Sequence, residues 1–381
     1  MKVAVLGFGT VGYGVYEMLK KADGLEAGPV LVRPGKDDED FKVTDIDAIV
    51  SDSSVGAVAE VMGGVDPAFQ YASAVLGAGK HFVTSNKALV AAKGPELAKI
   101  AEKSGAAFLF SAACGGGVPF LHNMSLAVGS DEIESVGGIL NGTTNYMLDA
   151  MQRRGMTYEE ALGDAQRLGY AEADPTADVT GLDALRKIML ACAVAFGKMP
   201  VEGLDNEGID SFTAEDVEYL KTKGLTCRLV VSGVPGDNGA LSAFVEPVLF
   251  EQTAPECSVL NNFNMAKYIG KCSGQIVLMG QGAGRWPTAS AVLRDLSDIN
   301  CGRRYMMNPD VECVKADNSA AVRKYCIRVP AGINPPFAAE SSDVFKESRY
   351  VYTAGIPVSE MHAYAKQARK EGVKLFFASM G

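Results

Sequence analysis

A chain of 381 residues exceeds the size at which a single hydrophobic core stops growing, so two or three structural units are expected. It is 48% hydrophobic and 22% charged, an ordinary globular balance with no tract polar enough to stay disordered. The net charge of −10, with basic residues scattered along the chain, argues against nucleic-acid or membrane-surface partners and favours a small molecule.

Met1-Lys2-Val3-Ala4-Val5-Leu6 enters an apolar strand pattern at once, which leaves no room for a secretory leader. No run approaches the roughly 18 to 20 apolar residues of a spanning helix. The 8 cysteines lack CxxC spacing, so reduced thiols in a cytoplasmic protein are expected. Gly7-Phe8-Gly9-Thr10-Val11-Gly12 follows the first strand, and a helical pattern runs on to Lys21. A GxGxxG match is weak in a chain with 42 glycines, and its plain meaning is a tight turn. Between a strand and a helix it gains meaning: the first glycine permits the turn, the second lets backbone approach a pyrophosphate, and the third allows close packing. Further strands at 30–32, 48–50, 57–61 and 81–84, separated by helices at 67–77 and 95–104, imply a parallel sheet covered on both faces. The fold class is therefore α/β, with a Rossmann-type dinucleotide-binding domain over residues 1–124. Where an acid would meet the ribose hydroxyl of NAD, the chain has Arg33 and nearby Lys36, which suit the 2′-phosphate of NADP; two solvated surface charges are the alternative.

From about Asn123 the pattern changes. Helices at 158–168 and 181–196 precede alternating stretches at 225–234 and 240–249 that read as antiparallel strands, so an α+β second domain is expected over residues 125–285. A helix at 287–299 is expected to pack back and complete the first domain over about 286–305. The tail, 318–381, reads strand (324–329), strand (349–353), helix (359–370), strand (374–378), a small α/β appendage.

The densest chemistry lies in Gly169-Tyr170-Ala171-Glu172-Ala173-Asp174-Pro175-Thr176-Ala177-Asp178-Val179-Thr180-Gly181-Leu182-Asp183-Ala184-Leu185-Arg186-Lys187. Pro175 ends any helix before it, whereas Asp183 and Lys187 are four apart on the helix that follows and share one face. A surface ion pair is the plain account of that spacing, worth about 0.3 to 0.5 kcal/mol. The alternative is catalytic, because alcohol–aldehyde interconversion needs a proton donor and acceptor at oxygen, and a lysine beside a carboxylate can serve.

At this run the sequence resembles homoserine dehydrogenases, matching the family's pattern at every position from Ala165 to Lys187. The glycine turn, Val83-Thr84-Ser85-Asn86-Lys87, Leu140-Asn141-Gly142-Thr143-Thr144-Asn145-Tyr146 and Gly280-Gln281-Gly282-Ala283-Gly284 resemble the same family in the same order, over about residues 1–305. The resemblance implies hydride transfer between L-homoserine and a nicotinamide cofactor, giving L-aspartate 4-semialdehyde, with aldehyde reduction as the cellular direction feeding threonine, methionine and isoleucine synthesis. It assigns Lys187 to proton relay and Lys87 to the boundary between nicotinamide and substrate. Glu172 and Asp183 would hold the substrate ammonium, with Asp178, Tyr170, Thr143 and Gly142 nearby. Ser85, Gly169 and Gly284 join the glycine turn as cofactor contacts. A monovalent cation such as sodium would sit on the backbone of Cys114, Gly116 and Val118, although Ser111 stands where the family usually has Glu. The resemblance also implies a homodimer built on the antiparallel strands of the second domain, and a tail loosely similar to a βαββαβ ligand-sensing unit of the ACT type. Two other readings stay open: an aldehyde dehydrogenase with Cys114 as nucleophile, and a non-catalytic cofactor sensor.

Overall fold

The computed structural model describes residues 1–381, apart from the side chain of Asn238. Six parallel strands form the first sheet, in the order Lys42–Val43, Glu26–Leu31, Lys2–Leu6, Val55–Glu60, His81–Thr84, Phe108–Leu109. The order reverses direction beside Lys2–Leu6, and a crevice at the carboxyl ends of strands at such a switch point is where open α/β sheets bind ligands. Residues 3–6 and 57–60 are fully buried, as a sheet covered on both faces requires. Residues 48–50, expected as a strand, instead form the short helix Asp47–Val50. The Asp45 carboxylate accepts from the Asp47 amide at 3.0 Å, a local turn contact that outcompetes a three-residue apolar run. The helix expected to start at Pro95 starts at Lys87, because Asn86 caps it by accepting from the Leu89 amide at 3.1 Å.

The helix Arg285–Asn300 lies against Thr10–Leu19, where Gly14 leaves room for Ala289; a Cβ there would stand 3.2 Å from the alanine Cβ.

A second sheet of ten strands runs in the order Gly274–Gln281, Phe263–Gly270, Ile133–Ile139, Leu225–Pro235, Leu241–Glu251, Phe376–Met380, Tyr325–Pro330, Ser348–Thr353, Ala339–Phe345, with Asp205–Asn206 also on Leu241–Glu251. The helix Leu182–Phe196 packs on it at Gly233, where a Cβ would come within 2.6 Å of Cys192 Sγ and 3.2 Å of Ile188 Cδ1. Leu190, Cys192 and Ile188 are fully buried, each aliphatic side chain worth about 1.5 to 3 kcal/mol of burial. This helix is apolar on most sides, so a lysine on it lies inside the protein. On the opposite face Val230, Val248 and Phe250 form a small core beneath Val259. Both long strands are therefore covered within one chain, whereas the edge strand Gly274–Gln281 leaves Val277 and Met279 exposed.

The tail contributes four strands in the order fourth, first, third, second, all antiparallel, with the helix Val358–Lys370 between third and fourth. That is the arrangement of a split βαβ unit lacking its first helix; residues 331–338 carry no helix there. Its fourth strand pairs in parallel with Leu241–Glu251, which makes the tail continuous with the second sheet. Among the described residues no helix is long and apolar enough to cross a membrane.

Candidate active site

The glycine turn opens onto a cleft of about 770 Å3 at the switch point. Gly7 has φ +97°, a left-handed conformation suited to glycine, and a Cβ on Gly12 would run into the Gly7 carbonyl. A Cβ on Gly9 would meet nothing within 4 Å, so that backbone faces open space directly before the amides of Thr10 and Val11 at the helix start. Exposed amides with a positive dipole end and a bare glycine form a cradle for a pyrophosphate, so the residues present fit a dinucleotide. Phe8, Arg33 and Lys36 line the same cleft, together with Met62 and Gly63 from the neighbouring strand's end. Arg33 and Lys36 are exposed. Lys42, which the sequence did not single out, also lines it, but is held 2.6 Å from Asp38 and 2.7 Å from Glu39.

The carboxylate of Asp183 is the centre of the second cluster. Its Oδ2 lies 2.7 Å from Lys187 Nζ and its Oδ1 3.0 Å from Lys87 Nζ, so a helix of the second unit is joined to a helix start of the first. Asn141 Nδ2 donates to Asp183 at 2.9 Å and to Asp178 at 2.7 Å. Asn141 has this aim because its Oδ1 caps the helix Gly142–Arg154, accepting from the Thr144 amide at 2.8 Å. Lys187 Nζ also donates to the Leu140 carbonyl at 2.5 Å.

Burial opposes charge on both partners, and the pairing overcomes it on both. Asp183 is held well below the usual carboxylate range by Lys187 and Lys87 despite its burial. Lys187 is likewise raised above the ordinary lysine value, its burial outweighed by Asp183. Asp178 moves up, chiefly through burial. The plain surface ion pair is excluded, since Asp183 and Lys187 are only 7% and 8% exposed.

Thr143 donates to the Tyr170 carbonyl at 2.6 Å, and the Tyr170 ring meets Tyr146 edge-on at 5.1 Å, which ties the loop carrying Gly169, Tyr170 and Glu172 to the same helix start. Glu172 is exposed on that loop. Ser85 lies beside Lys87, its amide donating to the Glu60 carbonyl at 3.2 Å, and Gly284 has φ +116° at the start of Arg285–Asn300.

Asn264 was not found from sequence: a Cβ on Gly142 would lie 3.4 Å from its Oδ1, and neither amide atom of this buried side chain has a partner. Only the structure brings Asn141 and Asn264 to the site, although the helix-cap pattern at Asn141 was a readable signal.

Cys114 is fully buried, with its thiol pushed up to about 12 by burial and its Sγ 3.8 Å from the Lys187 carbonyl. A thiol so disfavoured as thiolate is no nucleophile, which removes the aldehyde-dehydrogenase reading. Ser111, in the position where a glutamate was expected, donates its hydroxyl to Asp295 at 2.6 Å and its amide at 2.8 Å.

Residues 7–111 match the family described as homoserine dehydrogenase, NAD binding domain, and residues 119–297 the family described as homoserine dehydrogenase. The homoserine dehydrogenase of Synechocystis sp. is 39% identical over 316 residues, 78% of this chain and 73% of that protein. That of Bacillus subtilis is 37% identical over 313 residues, 78% of this chain and 72% of its own. A solved homoserine dehydrogenase from Thiobacillus denitrificans has a TM-score of 0.89 to this chain, covering 100% of it and 98% of its own, at 29% identity.

Proposed function

Because the chain belongs to the homoserine dehydrogenase family and so carries out NAD(P)-dependent oxidoreduction of homoserine, we propose that L-homoserine and L-aspartate 4-semialdehyde are interconverted at the Lys187–Asp183–Lys87 cluster. When bound, the nicotinamide cofactor supplies the hydride acceptor for oxidation and the donor for reduction. Lys187 holds the proton exchanged at the substrate's C4 oxygen. The observation that carries this role is a buried ammonium fixed 2.7 Å from a carboxylate and 2.5 Å from a backbone carbonyl. Its remaining valence is the one free to meet a substrate oxygen. Lys87, which is 36% exposed, reaches the same carboxylate from the dinucleotide side and steers the substrate there. Asp183 has both oxygens on lysines, so it sets their charge state and position, and the substrate ammonium falls to Asp178 and Glu172, with Thr143, Gly142 and Tyr170 around it.

A raised Lys187 is protonated at neutral pH, the state that donates to an aldehyde oxygen. Reduction therefore runs at neutral pH, whereas homoserine oxidation, which needs the neutral amine, climbs as pH rises. Initial rates in both directions across the neutral and alkaline range test this. Parallel profiles for the two directions would contradict it.

NADP is the preferred cofactor, with NAD as the weaker one, supported by the exposed Arg33 and Lys36 in the cleft. Sodium or a similar monovalent cation is bound by main-chain oxygens of Cys114, Gly116 and Val118; the Val118 carbonyl accepts from the Phe120 amide at 2.8 Å, while the other two accept nothing among the described residues. The protein works as a cytoplasmic homodimer in amino-acid biosynthesis, and the exposed edge strand carrying Val277 and Met279 supports pairing through the second sheet. The tail is a reduced ACT-like unit, a reading its strand order supports.

A further inference from the structure

Glu60 ends the strand Val55–Glu60 in the middle of the first sheet, opposite Thr84 on the neighbouring strand, and is fully buried. A buried carboxylate needs donors, and Glu60 has them on two sides. One oxygen accepts the Met62 amide at 2.7 Å and the Gly63 amide at 3.3 Å, both in the loop that lines the dinucleotide cleft. The other accepts the Thr84 hydroxyl at 2.6 Å. Thr84 Oγ1 in turn accepts the Asn86 amide at 2.9 Å, and Asn86, anchored on the Gly64 carbonyl at 2.5 Å, caps the helix whose first residue is Lys87. A continuous set of hydrogen bonds thus runs from the cofactor loop through Glu60 and Thr84 to the helix start that carries Lys87, and Lys87 reaches Asp183 at 3.0 Å.

We infer that Glu60 is a positioning residue that locks the cofactor loop and the Lys87 helix start into one register, with Thr84 as its arm toward Lys87. The inference rests on the role given to Lys87 above. Burial raises the Glu60 carboxyl above its ordinary value while these donors pull it back, so the residue is held by geometry that a neutral amide cannot reproduce. In Glu60→Gln the amide nitrogen would face Thr84, a donor against a hydroxyl that already donates, and the contact would have to rearrange.

The two arms predict different losses. Thr84→Val, close in shape, cuts only the arm to Lys87, so kcat should fall by roughly tenfold, the effect of one misplaced catalytic group, with cofactor affinity by calorimetry unchanged. Thr84→Ser keeps the hydroxyl and should restore the rate. Glu60→Gln should lower kcat and weaken cofactor binding together. In a Lys87→Ala background Thr84→Val should cost nothing further, because the group it positions is gone. Equal kcat in Thr84→Val and Thr84→Ser, or additive losses in the double variant, would overturn the inference. A Lys87→Ala enzyme with undiminished turnover would instead remove the role of Lys87 itself, and the single variants separate the two failures.

Discussion

Replacing Asp183 with asparagine leaves the shape of the cluster and removes the charge between two ammonium groups. Lys87 is 36% exposed, so water can take up its charge; Lys187 is 8% exposed and cannot be relieved that way. Breaking a buried ion pair by deleting one partner typically costs about 3 to 5 kcal/mol. Lys187 escapes most of that penalty by losing its proton, since burial pulls its titration down and Asp183 is the chief group holding it up, ahead of Cys114 and Asp178. Losing that partner moves the Lys187 titration down, toward the pH range of the assay. Reduction of L-aspartate 4-semialdehyde by Asp183→Asn should therefore be slower by roughly 10² to 10³ and should decline with rising pH where the unaltered enzyme is flat. The stability difference has a defined sign. Asp183 is depressed in the folded state, so it contributes stability above the ordinary carboxylate value of about 3.9 and loses it as pH falls through the depressed value. Lys187 is raised, so its contribution is complete below the ordinary lysine value and fades only as pH rises through the higher one. Denaturant midpoints of the two proteins should differ most at neutral pH and converge in acid. An asparagine variant with an unchanged pH–rate profile would refute the reasoning.

Arg33→Ala should raise the Michaelis constant for NADP by roughly 10- to 100-fold, the worth of a charge-assisted phosphate contact, and that for NAD far less; equal effects measured with both cofactors would show that Arg33 does not read the phosphate. Cys114→Ser should keep turnover, because a thiol pushed up to about 12 contributes no nucleophile, although burying a hydroxyl there costs about 1 to 3 kcal/mol of stability. Loss of turnover with cofactor binding intact would return the thiol to the mechanism.

Periodicity carried elements of both units: in the first, His81–Thr84 lies where an apolar run between helices put it, and in the second, Leu182–Phe196 starts just past its glycine. The misreadings have local causes. Residues 48–50 had strand composition but an upstream aspartate turned them into a helix, and Pro95 marked a helix start that Asn86 had already made. The hairpin Phe263–Gly270 with Gly274–Gln281 was not read, because it pairs with a strand more than a hundred residues away and its edge strand carries the unbroken apolar run Ile276-Val277-Leu278-Met279 rather than an alternation. For the site, four-residue helical spacing put Asp183 and Lys187 on one face, but spacing cannot tell an inward face from an outward one. Gly233, which admits the helix to the sheet, and Asn141, which bridges Asp178 and Asp183, decide that through contacts distant in sequence. Glu60 was invisible because its hydroxyl partner, Thr84, comes from a neighbouring strand that only the folded sheet sets beside it.

The role proposed for Lys187 is to move the proton at the substrate oxygen. It is tested most directly by assaying purified, folded Lys187→Ala for homoserine-dependent nicotinamide reduction by absorbance, with cofactor binding measured on the same sample. Turnover should fall by roughly 10² to 10⁴ while cofactor affinity stays nearly constant. Turnover within about threefold of the unaltered enzyme, a difference too small for a positioned acid–base group, would contradict it.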